Sequence, residues 1–151
     1  MRRATTRIST VLALSLVATL VLGAMAPNAG ARTLRRNQML ELMNTKRENK
    51  HVADLHISSR LSRYARQHSR QMAKRGYIFH TRSLASRLRS VRWSIAGENV
   101  GAGGGDVSSL FQAFMDSAPH RRNILRGSFK HVGIGMVRRG GYLWVTMDFY
   151  G

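Results

Sequence analysis

Three polar side chains of this sequence could share one site, and their types set the chemistry that such a site could do. His80 lies in the sequence Phe-His-Thr, Glu98 in Gly-Glu-Asn-Val, and His120 in a Ser-x-Pro-His sequence that opens a helix. Each is bordered by apolar or glycine residues of a candidate core segment. This setting favours one shared site over three scattered surface residues.

Two imidazoles and one carboxylate could hold Zn²⁺ with an open position for water. Bound zinc lowers the pKa of water to about 7, so hydrolysis is chemically accessible to such a site. The sequence has neither a His-Glu-x-x-His helix nor a Gly-x-Ser-x-Gly nucleophile motif. Three roles therefore stay open: a hydrogen-bonded set that fixes loops, a metal site of His80 and His120 with Glu98 assisting, and catalysis.

The N-terminus has the pattern of a secretory signal peptide. Three arginines within the first seven residues precede an apolar run over 11–22, and two Ala-x-Ala sequences follow. The run is shorter than the ~20 residues that span a bilayer. The sequence predicts a signal peptide over 1–31, with cleavage after Ala31 or, alternatively, after Ala26. We therefore expect no transmembrane span after cleavage, and a secreted protein of the extracellular space or cell envelope.

Charge and cysteine usage limit the partners. The 25 Lys and Arg residues face 7 Asp and Glu, and loss of the three leader arginines leaves 22 against 7, a formal charge of +15. Such a field attracts anionic polymers, phospholipid head groups or DNA, although solvated helix faces also account for dispersed arginines. No basic patch is interleaved with aromatic residues, so a specific nucleic-acid partner is not expected. The absence of cysteine excludes disulfides and thiol chemistry.

Apolar periodicity predicts helices first and a β-hairpin last. Asn37 can cap a helix over 38–46, and Ser58 or Ser59 starts a second helix that ends before Gly76. Asp106 can cap a later helix. The remaining predicted elements are a short helix over 83–90, an extended segment over 93–100, a helix over 119–125, and strands over 131–138 and 142–149. Helices followed by a hairpin indicate an α+β fold in one domain.

Five motifs occur in a characteristic order: Phe-His-Thr at 79–81, Gly-Glu-Asn-Val at 97–100, Ser-x-Pro-His-Arg-x-Asn-Ile-Leu at 117–125, Val-Gly-Ile-Gly at 132–135, and Asp-Phe-Tyr-Gly at 148–151. The ordered set resembles the CAP superfamily (cysteine-rich secretory proteins, antigen 5, pathogenesis-related 1), also called the SCP domain. The short bacterial secreted members without disulfides are the most similar. The resemblance covers residues 37–151 and leaves 32–36 as a short N-terminal lead.

The resemblance implies an α-β-α sandwich with a small antiparallel sheet between helical layers. It also implies a central cavity lined by two histidines and two acidic residues, for which His80, His120 and Glu98 match three positions. The family places the second acid, a glutamate, at a helix end where this chain has Asp116 and Ser117. Asp116 could substitute only if the helix end is shifted, and otherwise it is a surface residue.

The same resemblance sets the functional expectation. We expect a monomeric, non-enzymatic binding module for a lipid or an anionic envelope component, with a His/Glu cavity and no required cofactor, although Zn²⁺ could bind. Asn99 and Asn123 are expected to hold backbone turns. The alternative is a metal-dependent hydrolase or protease that uses His80, Glu98 and His120.

Overall fold

A computed structural model describes residues 29–151, so residues 1–28 of the predicted signal peptide lie outside the described residues. Within the described range no helix combines the length and apolarity needed to cross a membrane. The elements are α1 Ala29–Glu48, β1 His56–Ile57, α2 Ser59–Arg75, α3 Leu84–Arg87, β2 Ala96–Gly103, α4 Val107–Asp116, α5 Ala118–Ile124, β3 His131–Arg139 and β4 Tyr142–Tyr150.

Local sequence signals define the ends of α2 and α4 as predicted. The Ser58 side chain caps α2 by accepting a hydrogen bond from the backbone N–H of Leu61. Gly76 ends the same helix in the left-handed conformation, with φ of 78°, which costs glycine little. Asp106 caps α4 by accepting a 2.8 Å hydrogen bond from the backbone N–H of Ser109. These side chains and this glycine satisfy backbone groups that a helix leaves unpaired.

Three elements differ from the prediction. Helix α1 begins at Ala29, so Asn37 is no cap and residues 32–36 are helical rather than a lead. The segment Ala31-Arg-Thr-Leu-Arg-Arg36 has no proline and consists mainly of good helix formers, which favours continuation. Strand β2 runs to Gly103, beyond the predicted end at 100, because it pairs with β4 along that length. Strand β1 has only two residues, too few to give a periodic signal.

The four strands form one mixed sheet in the order β1-β3-β4-β2. The hairpin of β3 and β4 is antiparallel and pairs His131 with Tyr150 at its open end. Strand β2 adds antiparallel to β4, whereas β1 adds parallel to β3 and pairs only with His131 and Val132. Beyond Val132 the outer edge of β3 therefore has no strand partner within the described residues.

Helices cover both faces of the sheet, as an α-β-α sandwich requires. Helix α2 packs on β3 and β4, and α1, α4 and α5 lie on the other side, around a core that includes Met39, Phe111, Phe129 and Phe149. Gly135 of β3 allows the close approach of α2, because a Cβ there would overlap backbone atoms of the helix. The Val-Gly-Ile-Gly motif thus serves helix-on-sheet packing.

The buried Arg47 side chain links α1 to the loops that follow α1 and α5. The Arg47 guanidinium is fully buried and donates hydrogen bonds to the backbone carbonyls of Ala53, Ile124, Arg126 and Phe129 at 2.7, 2.8, 3.0 and 3.0 Å. Burial lowers its pKa, and Asp54 partly opposes that shift. The guanidinium supplies donors to carbonyls that no strand or helix satisfies, which fixes both connections.

Candidate functional site

The carboxylate of Glu98 lies at the centre of the predicted site. Its Oε1 atom accepts a 2.7 Å hydrogen bond from His80 Nδ1 and a 2.9 Å hydrogen bond from the backbone N–H of Thr81. The Glu98 side chain is 7% exposed, whereas that of His80 is 66% exposed. Glu98 therefore anchors the 79–81 loop from beneath and orients an imidazole whose Nε2 edge faces outward.

The second acidic residue of the site is Asp148, which was not among the predicted site residues. Strand pairing places Asp148 directly opposite Glu98 in the register of β2 and β4. Asp148 is fully buried, and its Oδ2 atom accepts a 3.1 Å hydrogen bond from Arg87. A charged residue within an otherwise apolar strand was the available signal, because aspartate is almost never fully buried without a partner.

Burial and the neighbouring Glu98 favour the protonated form of Asp148. Burial, and after it the negative charge of Glu98, raises the pKa of Asp148 from 3.8 to about 8, while Arg87 opposes the rise. Glu98 Oε2 and Asp148 Oδ1 are both buried, and neither has a hydrogen-bond partner in the described structure. At neutral pH the Asp148 carboxyl is therefore mainly protonated, although Arg87 contacts it.

His120 lies near His80 but makes different contacts. Its ring meets Phe114 edge-on, with ring centroids 5.1 Å apart. Burial, and after it the proximity of His80, lowers the pKa of His120. The imidazole is therefore neutral at pH 7, the form that can accept a hydrogen bond or bind a metal.

Two asparagines connect these elements through the backbone. The buried Asn99 donates a 3.0 Å hydrogen bond to the backbone carbonyl of His120. Asn123 donates to Asn99 Oδ1 at 2.9 Å and to the carbonyl of Glu98 at 3.4 Å. Helix α5 is thereby held against β2, which fixes where His120 lies relative to Glu98.

Asp116 and Ser117 lie at the junction of α4 and α5 and do not reach this cluster. The exposed carboxylate of Asp116 accepts a 2.8 Å hydrogen bond from Gln112, one helical turn earlier. Ser117 forms the junction itself and makes no side-chain capping bond. The position opposite Glu98 is instead occupied by Asp148 of β4.

The donor set does not fit a catalytic zinc ion. Glu98 Oε1 is committed to His80 and Thr81, so the outward donors are nitrogen atoms of His80 and His120. Within residues 29–151 no group of three or more His, Cys, Asp or Glu side chains is arranged to hold a metal ion. Catalytic zinc sites use three protein ligands, and the described residues do not offer that arrangement.

A basic cleft opens beside His80, with a volume of about 580 Å³. Aromatic and cationic side chains of α2 and the 77–87 segment line it, among them Arg75, Tyr77, Phe79, Arg82 and Arg87. The Arg75 guanidinium lies 4.8 Å from the centre of the Phe79 ring, in a cation–π contact. The mouth of the site thus offers positive charge and flat apolar surface, while its two carboxyl groups lie beneath.

Comparisons with known proteins identify a family model, a related sequence and similar structures. A family profile, CAP: Cysteine-rich secretory protein family, matches residues 40–149. The chain is 32% identical over 120 residues to "Uncharacterized protein YkwD" of Bacillus subtilis, a match that covers 76% of this chain and 46% of that protein.

Two solved structures share the fold. An extracellular protein containing a SCP domain from Bacillus anthracis has a TM-score of 0.70 at 24% identity, over 83% of this chain and 44% of that one. An outer surface protein from Borrelia burgdorferi has a TM-score of 0.69 at 12% identity, over 78% and 92% of the two chains. The chain spans less than half the length of YkwD and of the Bacillus anthracis protein.

Proposed function

Because the chain belongs to the cysteine-rich secretory protein (CAP) family, we propose that it is a non-enzymatic binding module of the cell envelope or extracellular space whose ligand is an anionic envelope component. One observation carries this proposal: the positive charge of the folded domain is left uncompensated at its surface. The leader pattern of residues 1–31 supports the location.

The distribution of acidic residues explains the uncompensated charge. Of the seven Asp and Glu residues, Glu98 and Asp148 lie inside the polar cluster, and the other five are exposed. In the described part of the chain the only side-chain ion pairs are His80–Glu98 and Arg87–Asp148. No exposed carboxylate there is paired with a basic side chain, so the field of +15 acts on the surroundings and attracts polyanions.

The geometry around Glu98 favours binding over hydrolysis. A general base must reach a water or substrate proton. Glu98 Oε1 instead accepts hydrogen bonds from His80 and the backbone of Thr81, and Oε2 is buried. The carboxyl pair therefore supports the loop that carries His80, and the outer surface of the cleft is cationic and aromatic.

Binding to model polymers tests the proposal. Polyphosphate and polyglutamate serve as polyanions, and neutral dextran of similar length is the control. We expect both polyanions to bind, with an affinity that falls linearly with the logarithm of salt concentration, and dextran not to bind. Equal behaviour of dextran and the polyanions, or no binding to either polyanion, would refute an anion-binding function.

The hydrolase alternative has its own measurement. Calorimetry with Zn²⁺ compares the native protein with the His80→Ala/His120→Ala double variant. Heat that the double variant lacks, together with zinc-dependent cleavage of an envelope substrate, would replace the proposal with a metal-dependent enzyme. On the proposed function the two proteins bind polyphosphate with similar affinity.

A further inference from the structure

A groove between α1 and α2, which shares no lining residue with the cleft beside His80, has the features of a dedicated anion site. We propose, on the basis of the function proposed above, that this groove binds the anionic ligand and that the ligand carries phosphate groups. The groove has a volume of about 560 Å³, which is within the size range of small-ligand sites.

Five arginines line the groove. Within each helix, their spacing puts them on one face. Arg32 and Arg36 of α1 are four residues apart, and the α2 arginines at 63, 66 and 70 follow steps of three and four. Residues at these steps share one helix face. The groove therefore has arginines on both walls: Arg32 and Arg36 on one, and Arg63, Arg66 and Arg70 on the other.

The floor of the groove is the outer edge of β3. Strand β1 pairs only with His131 and Val132, and the lining residues Ile134 and Met136 come after that pairing ends. The backbone N–H of Ile134 donates to Ser62 Oγ at 3.1 Å, so α2 satisfies part of this edge. The short β1 thus leaves room for a ligand where a longer strand would fill the space.

No carboxylate balances the charge in the groove. None of the seven acidic residues lines it, and both ion pairs in the described structure lie elsewhere. Burial, and after it the positive charges of Arg70 and Arg32, lowers the pKa of Arg66, which shows mutual repulsion within the set. Arg36 Nε is buried and has no hydrogen-bond partner in the described structure. A bound anion would relieve the repulsion and could satisfy this donor.

The chemistry of the donors favours phosphate over carboxylate. Guanidinium groups form two parallel hydrogen bonds to phosphate or carboxylate oxygens. A phosphate ester has tetrahedral oxygens and carries up to two negative charges, so it can meet arginines from both walls at once. A carboxylate has two coplanar oxygens and one charge. Arginines on opposite sides of one groove therefore suit a phosphate-bearing group, either a lipid head group or a soluble or polymeric phosphate.

The test compares two double variants of equal charge. Arg66→Gln/Arg70→Gln removes two groove arginines, and Arg89→Gln/Arg92→Gln removes two exposed arginines outside the groove. Calorimetry measures binding of tripolyphosphate, with an acidic peptide of equal charge as the competing class. Vesicles of phosphatidic acid with phosphatidylcholine, against phosphatidylcholine alone, separate a lipid head group from soluble phosphate. Circular dichroism confirms that each variant is folded.

We expect the groove variant to bind tripolyphosphate at least about tenfold more weakly, the loss of roughly one charge-assisted hydrogen bond. The control should change affinity by less than about twofold at physiological salt. Equal losses in both variants would overturn the groove as the site while leaving the proposed function standing. Equal or tighter binding of the acidic peptide would overturn the phosphate class. If no anion binds the native protein, both the inference and the proposed function fail.

Vesicle binding that the groove variant loses would identify the phosphate as a lipid head group. Tripolyphosphate binding without vesicle binding would identify it as soluble or polymeric. Both outcomes support the groove site, provided that the Arg66→Lys/Arg70→Lys variant recovers only part of the affinity. This variant keeps the positive charge but cannot form the two parallel hydrogen bonds of a guanidinium group.

Discussion

Replacing Asp148 with asparagine should make the folded protein less sensitive to rising pH. The pKa of Asp148 is raised from 3.8 to about 8 in the folded state, chiefly by burial and then by Glu98. The folded protein therefore keeps a proton that the unfolded chain releases near pH 4. Stability from this group is complete below about pH 4, falls as pH rises, and levels off above about pH 8.

The size of this pH effect follows from the number of protons bound by the folded and the unfolded states. Between about pH 5 and 7 the unfolded aspartate is ionised and the folded Asp148 still holds its proton, so the free energy of unfolding falls by about 1.4 kcal/mol per pH unit. Over that interval the native protein should lose about 2–3 kcal/mol relative to Asp148→Asn. The asparagine keeps the shape and can still meet Arg87 and Glu98 but binds no proton.

Urea unfolding at fixed pH values measures this difference, with fluorescence of the buried Trp144 as one signal. Ionisable groups away from Asp148 are common to both proteins, and their effects cancel in the comparison. Asp116→Asn is the matched control, because that carboxylate is exposed on α4 and its profile should run parallel to that of the native protein.

The sign of the difference decides the interpretation. If Arg87 instead held Asp148 ionised, as their 3.1 Å contact alone would suggest, the variant would lose stability relative to the native protein as pH rises. Parallel profiles for Asp148→Asn and the native protein would likewise refute the raised pKa of Asp148.

Three further predictions concern the packing around the site, and all are measured by chemical unfolding. Arg47→Met should cost about 3–5 kcal/mol, because four backbone carbonyls lose a hydrogen bond from the guanidinium, and an unchanged midpoint would contradict that role. Gly135→Ala should cost at least about 2 kcal/mol by pushing α2 from the sheet, whereas Gly104→Ala meets no neighbouring atom and should be near neutral; similar costs would argue against the close approach. Asn99→Ala should cost about 2 kcal/mol and change the NMR shifts of the His120 ring, whereas unmoved shifts would show that the carbonyl contact does not position it.

Much of the fold could be predicted from local signals. Helix ends are marked by Ser58, Gly76 and Asp106 through hydrogen bonds to groups three or four residues away. The position of each of these helix ends is therefore determined within a short segment of sequence. The β3–β4 hairpin follows from alternation around Gly140 and Gly141, both of which adopt positive φ. The predicted start of α1 was wrong, because a possible cap at Asn37 does not stop a helix whose preceding residues also favour helix.

The motifs likewise indicated the family, which the profile match confirms. They named His80, Glu98 and His120, and the structure brings His80 into contact with Glu98 and places His120 near His80. They did not identify Asp148, because the register between β2 and β4 is set by pairing between segments about fifty residues apart.

The sequence by itself determined the charge, the helix caps, the hairpin and the family, because each depends on composition or on neighbours along the chain. Tertiary structure alone decided that Asp148 meets Glu98 and that Arg32 and Arg36 face the arginines of α2. The physical reason is the same in both cases. A carboxyl pKa of about 8 and a repulsive set of guanidinium groups arise from burial and distance, and these exist only once separate elements pack together.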